Sequence, residues 1–381
     1  MLTIDQFYKK VYADITPERV LSWITPDTEH DRGILRRLDY AYGFSDEDAK
    51  TMHILDEDRN KDGIIQLLKQ YTCANPEIEY IIQQVENTCR KIKDLHHSFL
   101  VADYEEFHNN AKEFFHTFYA ALDDPSNGLA HILPQKSIFY RMRKIEKSAN
   151  TTKINFFHVP FDKRYLMGTY RYSIPGYPSL YGASSIYCAW EEMGREDVKN
   201  YGYIAFKTTN PIQLLDLRWR FDKEILESDE AMKYYLIKLP IIIACSMQVH
   251  HTAEKFVPEY IFPHLIFQWL MSKLKSDTQK KNRTTLGVIY TSTKQEIWDA
   301  LKAKETRIDD MTNYALLAYI SPDDVTQYSK TLALKLNVQT PRWIEERVSA
   351  KMCPYEILSK VQGDFTDSPR SYWKNMSLYL K

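Results

Sequence analysis

The sequence contains few cysteines, and their placement does not suit a disulfide framework or a zinc site. The five cysteines are an odd number, they are widely scattered, and none belongs to a CxxC pair: Cys73, Cys89, Cys188, Cys245 and Cys353. Small secreted domains and thiolate metal sites need paired and closely spaced cysteines. The pattern therefore favours a protein of the reducing cytoplasm.

Long apolar runs and an excess of one charge sign are also lacking. The most apolar stretch, residues 237–247 (IKLPIIIACSM), is much shorter than the ~20 residues of a membrane-spanning helix. The first twenty residues carry early acidic side chains and no apolar core, so they do not resemble a signal peptide. The formal net charge is −1, which argues against a general nucleic-acid binder. We expect a cytoplasmic protein that binds neither membranes nor nucleic acids in general.

Familiar nucleotide, hydrolase and metal motifs are absent or incomplete. The patterns GxxxxGK[ST], GxGxxG and GxSxG do not occur. The sequence therefore lacks the motifs that usually indicate a P-loop enzyme, a Rossmann dinucleotide-binding domain or an α/β-hydrolase. Residues 58–69 (DRNKDGIIQLLK) resemble a calcium-binding loop, but Lys69 stands where a bidentate glutamate is needed. Residues 250–256 (HHTAEKF) group two histidines with a glutamate without matching HExxH. We expect no metal at either segment.

The amino-terminal third of the chain has a helical pattern. Apolar residues recur at three- and four-residue spacing within residues 63–71, 77–95 and 105–122. Residues 123–128 (DDPSNG) contain proline, glycine and asparagine, which stop helices. We therefore expect an all-helical amino-terminal domain over residues 1–135.

The remainder of the chain mixes short strand-like runs with helical segments. Aromatic and β-branched runs predict strands, and apolar periodicity predicts helices between them. The strands are expected at residues 137–143, 203–209, 212–219 and 286–292, and the helices at 230–250 and 260–274. We expect an α+β domain with a mixed sheet over residues 136–340, followed by a tail of short helices over residues 341–381.

One stretch of this second part, residues 168–194 (GTYRYSIPGYPSLYGASSIYCAWEEMG), joins a turn to a short helix. Pro175 and Gly176 fit the centre of a type II turn, in which glycine supplies the positive φ. Such a turn would hold Arg171 and Tyr181 in a fixed relation on its two sides.

The helix after this turn carries two adjacent glutamates. Ser184 is the expected N-cap and Gly194 the expected residue after the helix end. The face expected to meet the core consists of Ile186, Ala189, Trp190 and Met193. Glu192 lies about 110° from the centre of that face and Glu191 about 150° from it. We predict that Glu191 is the more exposed of the two, and that Glu192 is the one to point into a cleft if either does.

The order of these residues resembles the RES domain, a family named for its arginine, glutamate and serine. The family has an arginine before a Pro-Gly turn, then Leu-Tyr and a serine, then a glutamate on the next helix. Here these positions hold Arg171, Tyr181, Ser184 and Glu192. A later strand of the type G-I-x-Y-x-S matches GVIYTS, which places Ser292 at the family's second serine.

The resemblance covers roughly residues 137–335 and implies turnover of NAD+. RES domains resemble ADP-ribosyltransferases in fold. Characterised members are bacterial toxins that destroy NAD+, some with inorganic phosphate as acceptor, and many are encoded beside an antitoxin that covers the active site. The resemblance therefore implies a toxin or defence effector that cleaves the nicotinamide–ribose bond by phosphorolysis or hydrolysis. NAD+ is then the substrate, phosphate a candidate co-substrate, and no other cofactor is implied.

The resemblance also implies a role for each motif residue. Glu192 would stabilise the positive charge that develops on the ribose, as a carboxylate does in glycoside hydrolysis. Arg171 would bind the diphosphate of NAD+ or the acceptor phosphate through its planar fork. Tyr181 would stack on the nicotinamide or ribose, and Ser292 would hydrogen-bond a ribose hydroxyl or a phosphate.

Further candidates for binding NAD+ are Ser184 and Arg141, the latter matching a Tyr-Arg pair early in the family. Arg143 is the alternative to Arg141. His158 is also near the motif, but a satisfied structural histidine is its expected role. No metal ligand is predicted.

Two other functions stay open at this point. One is an ADP-ribosyltransferase that modifies a macromolecule, and the other is a non-catalytic RES-like binding module. The intact set of arginine, tyrosine, glutamate and serine argues against the second. The helical domain would regulate the catalytic domain or recruit a partner. The candidate partners are NAD+, an antitoxin or regulatory protein, and a second copy of the chain.

Overall fold

The computed structural model describes most of residues 78–343 and divides them into two compact units. The described residues are 78–122, 130–144, 152–194, 201–218, 229–246, 249, 256–280, 285–294, 311–320, 327–338 and 342–343. Of these, the first unit takes the residues within Met1–His131, Gly168–Ile174 and Leu214–Thr285. The second takes those within Ile132–Met167, Pro175–Gln213 and Leu286–Lys381.

Helices and strands alternate along the described chain. The helices are α1 (Ile78–Leu100), α2 (Tyr104–Leu122), α3 (Ile186–Glu192), α4 (Asp229–Ser246), α5 (Ile261–Lys280) and α6 (Lys330–Lys335). The strands are β1 (Ala130–Leu133), β2 (Ile138–Lys144), β3 (Ser179–Ala183), β4 (Tyr201–Thr208), β5 (Ile212–Leu217), β6 (Thr285–Thr291), β7 (Thr312–Leu317), β8 (Leu336–Val338) and β9 (Arg342–Trp343). Short 3-10 helices lie at Lys153–Phe156, Phe161–Leu166 and Pro258–Tyr260.

Most predicted elements that fall on described residues are confirmed. The helical patterns correspond to α1, α2, α4 and α5, and the strand patterns to β2, β4, β5 and β6. The prediction that residues 1–135 are all helical was wrong at β1, a four-residue strand too short to show a periodicity. The strand β9 likewise lies in the tail, where only helices were expected. The calcium-like loop, the helix stop at residues 123–128 and the two histidines of HHTAEKF lie outside the described residues.

The first unit is built on four helices that share an apolar core. The helix α1 buries one stripe at three- and four-residue spacing, formed by Ile81, Val85, Cys89, Ile92 and Leu95. This helix packs against α2, α4 and α5. Aromatic rings join α2 to α5, since Phe115 stacks on Trp269 with ring centroids 5.0 Å apart. No helix in the described part of the chain is long and apolar enough to cross a membrane.

The second unit is built on a sheet whose strands follow the order β6-β7-β3-β2-β4-β8, with β9 also paired to β4. The neighbouring strands in this order are antiparallel. Asn313 on β7 lies opposite Ala183 at the end of β3 and opposite Tyr290 near the end of β6. The residues just beyond β3 and β6 therefore meet the start of β7 at one end of the sheet. The expected α+β character is confirmed, while the likeness to ADP-ribosyltransferases stays a prediction.

The pairing of β6 with β7 depends on a close backbone approach at Gly287. A Cβ atom added there would lie 2.0 Å from the carbonyl oxygen of Ala315 and 2.9 Å from the Cα of Leu316. Both are backbone atoms of the neighbouring strand and cannot rotate away. Only glycine fits this position without moving the strands apart.

We predict that Gly287→Ala lowers the free energy of unfolding by about 3 kcal/mol, because overpacking against a fixed backbone forces the strands to shift. Urea denaturation measures the change. Gly168→Ala is the control, since its added Cβ would make only an ordinary 3.4 Å contact with the exposed Tyr170 side chain. The control should stay within about 0.5 kcal/mol of wild type. Equal stability of Gly287→Ala and wild type would contradict the prediction.

Candidate active site

The turn before the glutamate helix has the predicted form. Pro175 and Gly176 occupy a turn, and Gly176 has a φ of 69°. A positive φ at this position is what a type II turn requires of its glycine. The turn leads directly into Pro178 and strand β3.

The predicted N-cap of α3 was wrong by one residue. Ser185, not Ser184, caps the helix, since its Oγ accepts a hydrogen bond of 2.9 Å from the backbone N–H of Cys188. Ser184 instead joins β3 to β7. Its N–H donates to the carbonyl of Thr312 at 2.7 Å, and its Oγ accepts from the N–H of Thr312 at 3.0 Å. Either serine satisfies the local capping rule, and the partner strand determines which one caps.

The prediction that Glu191 is the more exposed of the two glutamates was also wrong. Glu191 is only 1% exposed, Glu192 is half-buried, and Met193, expected in the core, is 39% exposed. Every residue from Ile186 to Glu191 is buried. The prediction assumed one solvent-facing side, but this seven-residue helix contacts β2 and β3 and is covered all round. The predicted end is confirmed, because Gly194 has a φ of 89° and its N–H donates to the carbonyl of Glu191.

The carboxylate of Glu192 is held by two buried side chains. Its Oε1 accepts a hydrogen bond of 2.5 Å from Ser292 Oγ and one of 2.7 Å from Asn313 Nδ2. Ser292 is fully buried and Asn313 is 3% exposed. Within the described residues, Oε2 of Glu192 accepts no hydrogen bond. Charge-assisted hydrogen bonds of this kind fix both position and direction, so the carboxylate presents one oxygen to its donors and keeps the other available.

The strands β6 and β7 bring these donors to Glu192. Ser292 directly follows β6, where its N–H donates to the carbonyl of Met311 at 2.8 Å. Its Oγ accepts a 3.3 Å hydrogen bond from the N–H of Lys294 while donating to the carboxylate. The structure thus brings together the predicted Glu192 and Ser292, which are 100 residues apart in the chain.

Asn313 was missed by the sequence reasoning. Its Oδ1 accepts a 3.4 Å hydrogen bond from Sγ of Cys188, which lies one helical turn before Glu192 on α3. We refer to Cys188, Glu192, Ser292 and Asn313 as the Glu192 cluster. The sequence offered one indication of a special role for Asn313. It directly precedes the run YALL in the strand TNYALL, and asparagine is depleted in strands.

The predicted binding residues of the second unit lie around strand β3. Nη1 of Arg141 donates to the backbone carbonyl of Tyr181 at 3.1 Å, so this arginine links β2 to β3. The neighbouring candidate, Arg143, donates to the carbonyl of Asn155 instead. Tyr181 is half-buried, and Ser184 bonds β7 as described. Their predicted contacts with NAD+ stay predictions.

Arg171 lies in the first unit, whereas the Glu192 cluster lies in the second. Its guanidinium is buried and Nη1 donates to the carbonyl of Cys245 at 3.0 Å. Cys245 belongs to the last turn of α4, where carbonyls lack helical partners and the helix dipole favours a cation. The guanidinium also lies over the ring of Tyr260, 5.1 Å from its centroid. This arginine therefore holds the end of a helix, and its predicted relation to Tyr181 stays a prediction.

His158 has the satisfied structural role expected for it. Its Nε2 accepts a 2.9 Å hydrogen bond from the N–H of Ser329, and its Nδ1 donates to the carbonyl of Val159 at 2.8 Å. Burial is the main reason that the pKa of His158 is lowered from 6.5 to about 4. The hydrogen bond to Val159 raises the pKa and the charge of Arg141 lowers it, both by less than burial does. The neutral ring is required to accept from Ser329.

We predict that folding becomes less stable as pH falls because of this histidine. The pKa of His158 is about 4 in the fold and 6.5 ordinarily. Its contribution is therefore complete above pH 6.5 and is lost as pH falls towards 4, at about 1.4 kcal/mol per pH unit. Between pH 7 and pH 5 the loss should be about 2 kcal/mol. Urea denaturation at both pH values measures it.

The matched control is His158→Gln, which can still accept from Ser329 but does not titrate. This variant should lose about 2 kcal/mol less than wild type over the same pH range. His96, whose pKa burial lowers to about 3, contributes equally to both proteins. An identical pH dependence of wild type and His158→Gln would contradict the prediction.

The described residues contain no group of three or more histidine, cysteine, aspartate or glutamate side chains arranged to hold a metal ion. The polar groups of the Glu192 cluster are one carboxylate, one hydroxyl, one amide and one thiol. Such a set can orient a single negative charge next to a bound molecule.

Comparison with curated proteins finds a relative in Bacillus subtilis (strain 168) named "Putative toxin YopC". The two sequences are 32% identical over 172 residues, which is 41% of this chain and 36% of the relative. The chain thus matches little more than a third of that relative's length. No protein-family model matches the chain, and no solved structure matches it.

Proposed function

We propose that the chain is an NAD+-cleaving enzyme of the RES type that breaks the nicotinamide–ribose bond. The observation that carries the proposal is the hydrogen bond between Ser292 and Glu192. The resemblance assigned these two residues to one active site from motifs 100 residues apart. An exposed helix glutamate with no special role would not be expected to meet that particular serine.

Cleavage of the nicotinamide–ribose bond is favoured by a fixed negative charge beside the ribose. When the N-glycosidic bond breaks, its electron pair leaves with neutral nicotinamide and positive charge develops at the ribose carbon. The carboxylate of Glu192 would stabilise that charge through Oε2, while Oε1 stays with its two donors. An oxygen of phosphate or water then bonds to the ribose carbon, and in hydrolysis the water proton passes to solvent.

Ser292 acts through Glu192 in this proposal. Its hydroxyl donates a hydrogen bond to the carboxylate, and its oxygen accepts one from the backbone N–H of Lys294. A preorganised charge needs no rearrangement at the moment of reaction, which is the main source of electrostatic catalysis. This role is narrower than the ribose or phosphate contact expected from the sequence. The diphosphate contact of Arg171 and the stacking of Tyr181 are retained as predictions from the resemblance.

The cellular role that fits this reaction is that of a toxin or defence effector. The name of the B. subtilis relative includes the word toxin, and loss of NAD+ stops the metabolism of any cell. We further propose that an antitoxin or regulatory protein restrains the chain, as the resemblance implies.

We predict that the purified chain releases nicotinamide from NAD+, and that Glu192→Gln lowers kcat by about 100-fold or more, since the amide lacks the stabilising charge. NMR of NAD+ with and without phosphate identifies the products. Asp162→Asn is the matched control, because this exposed carboxylate accepts a hydrogen bond only from the Gln327 amide among the described residues. Its kcat should equal that of wild type.

The outcomes separate the alternatives. Wild-type protein that leaves NAD+ intact with and without phosphate would refute the enzymatic proposal. Full activity of Glu192→Gln would instead refute the assignment of the site. Labelled ADP-ribose attached to protein or nucleic acid, with little free product, would identify a transferase.

A further inference from the structure

Asn313 is a buried polar residue on a buried strand. The strand β7 is buried along its whole length, and Asn313 is 3% exposed. A buried amide is destabilising unless its oxygen and nitrogen are hydrogen-bonded. Here the oxygen accepts from Cys188 and the nitrogen donates to Glu192. Both partners lie on α3 four residues apart, a spacing that places them on one side of the helix.

The chemistry of these partners determines which way the amide points. An asparagine amide can turn over with almost no change in shape. The reversed amide would place its oxygen 2.7 Å from the carboxylate oxygen, so two acceptors would face each other. The thiol of Cys188 donates to the amide oxygen on the opposite side. Both contacts therefore favour the same orientation, with the N–H towards Glu192.

We propose that Asn313 is a positioning residue for Glu192, and that Cys188 sets the orientation of the Asn313 amide. This inference rests on the proposed function, because positioning matters only if Glu192 acts on a substrate. The terminal torsion of a glutamate is broad when unconstrained. Two donors on Oε1, from Ser292 and Asn313, restrict it and keep Oε2 in one direction.

A positioning role differs from a merely structural one in its kinetic effect. Loss of orientation at the reacting centre lowers the rate of the chemical step without weakening substrate binding, so kcat falls and KM does not. We expect Asn313→Ala to lower kcat by about 100-fold and to change KM by less than about threefold. Each variant is assayed well below its unfolding temperature, so that loss of folded protein does not imitate loss of kcat.

Two substitutions of Cys188 test whether a hydrogen-bond donor at this position is needed for activity. In Cys188→Ser the hydroxyl can still donate to the Asn313 amide, whereas Cys188→Ala has no donor. We expect Cys188→Ser to keep kcat within about twofold of wild type and Cys188→Ala to lose about three- to tenfold. Cys89→Ala is the control, because it removes another fully buried thiol from a helix of the first unit. It should leave kcat unchanged.

A second measurement works without any NAD+ turnover. Asn313→Ala, Glu192→Ala and the double variant form a cycle whose unfolding equilibrium constants report the coupling of the two side chains. A hydrogen bond to a charged group predicts coupling of about tenfold or more. The same cycle with Asp162→Asn in place of Glu192→Ala should show none.

These measurements test the inference separately from the proposed function. If wild type leaves NAD+ intact but the cycle shows coupling, the proposed reaction fails and the contact between Asn313 and Glu192 stands. Absence of coupling overturns the inference whether or not NAD+ is cleaved. In an active enzyme, wild-type kcat in Asn313→Ala, or equal kcat in Cys188→Ser and Cys188→Ala, also overturns it.

Discussion

The side-chain hydrogen bonds to Oε1 of Glu192 tie a helix to two strands, and the arrangement of the candidate site depends on them. The helix α3 contributes the carboxylate, β7 contributes Asn313, and the residue that directly follows β6 is Ser292. The donors are buried and the acceptor is half-buried. A charge held this way lies at the boundary between the core and solvent, where it is screened less than a fully exposed charge.

Much of this site could be predicted from the sequence, because the relevant rules are local. Glycine at a turn needs a positive φ, and both Gly176 and Gly194 have one. The pairing of Glu192 with Ser292 is not local, and only the resemblance to a family with both residues indicated it. Without that pattern, nothing in either segment would have linked residues 100 positions apart.

What the sequence did not predict is set by tertiary contacts. A helical wheel assumes that one side faces water, and it failed for Glu191 because α3 is covered all round. The capping rule could not choose between Ser184 and Ser185, since Thr312 on a distant strand engages the first. Asn313 carried no motif, and its hydrogen bonds to Cys188 and Glu192 appear only when β7 is placed beside α3. Most of the described helices were predicted correctly because their apolar periodicity spans many residues, whereas the short strands β3 and β7 beside the candidate site were not predicted.

The close approach at Gly287 has a consequence for how the two strands find their pairing. With the backbone as it stands at Gly287, a Cβ would overlap the carbonyl oxygen of Ala315. A slip of β6 by one residue brings Leu286 or Val288 opposite Leu316 and therefore requires the backbone there to change. Such a slip would also turn the side chains of β6 to the opposite face and move Ser292 by about 3.4 Å along the strand. A residue with no side chain thus favours one register of β6 against β7. In that register, a serine five residues further on reaches its carboxylate.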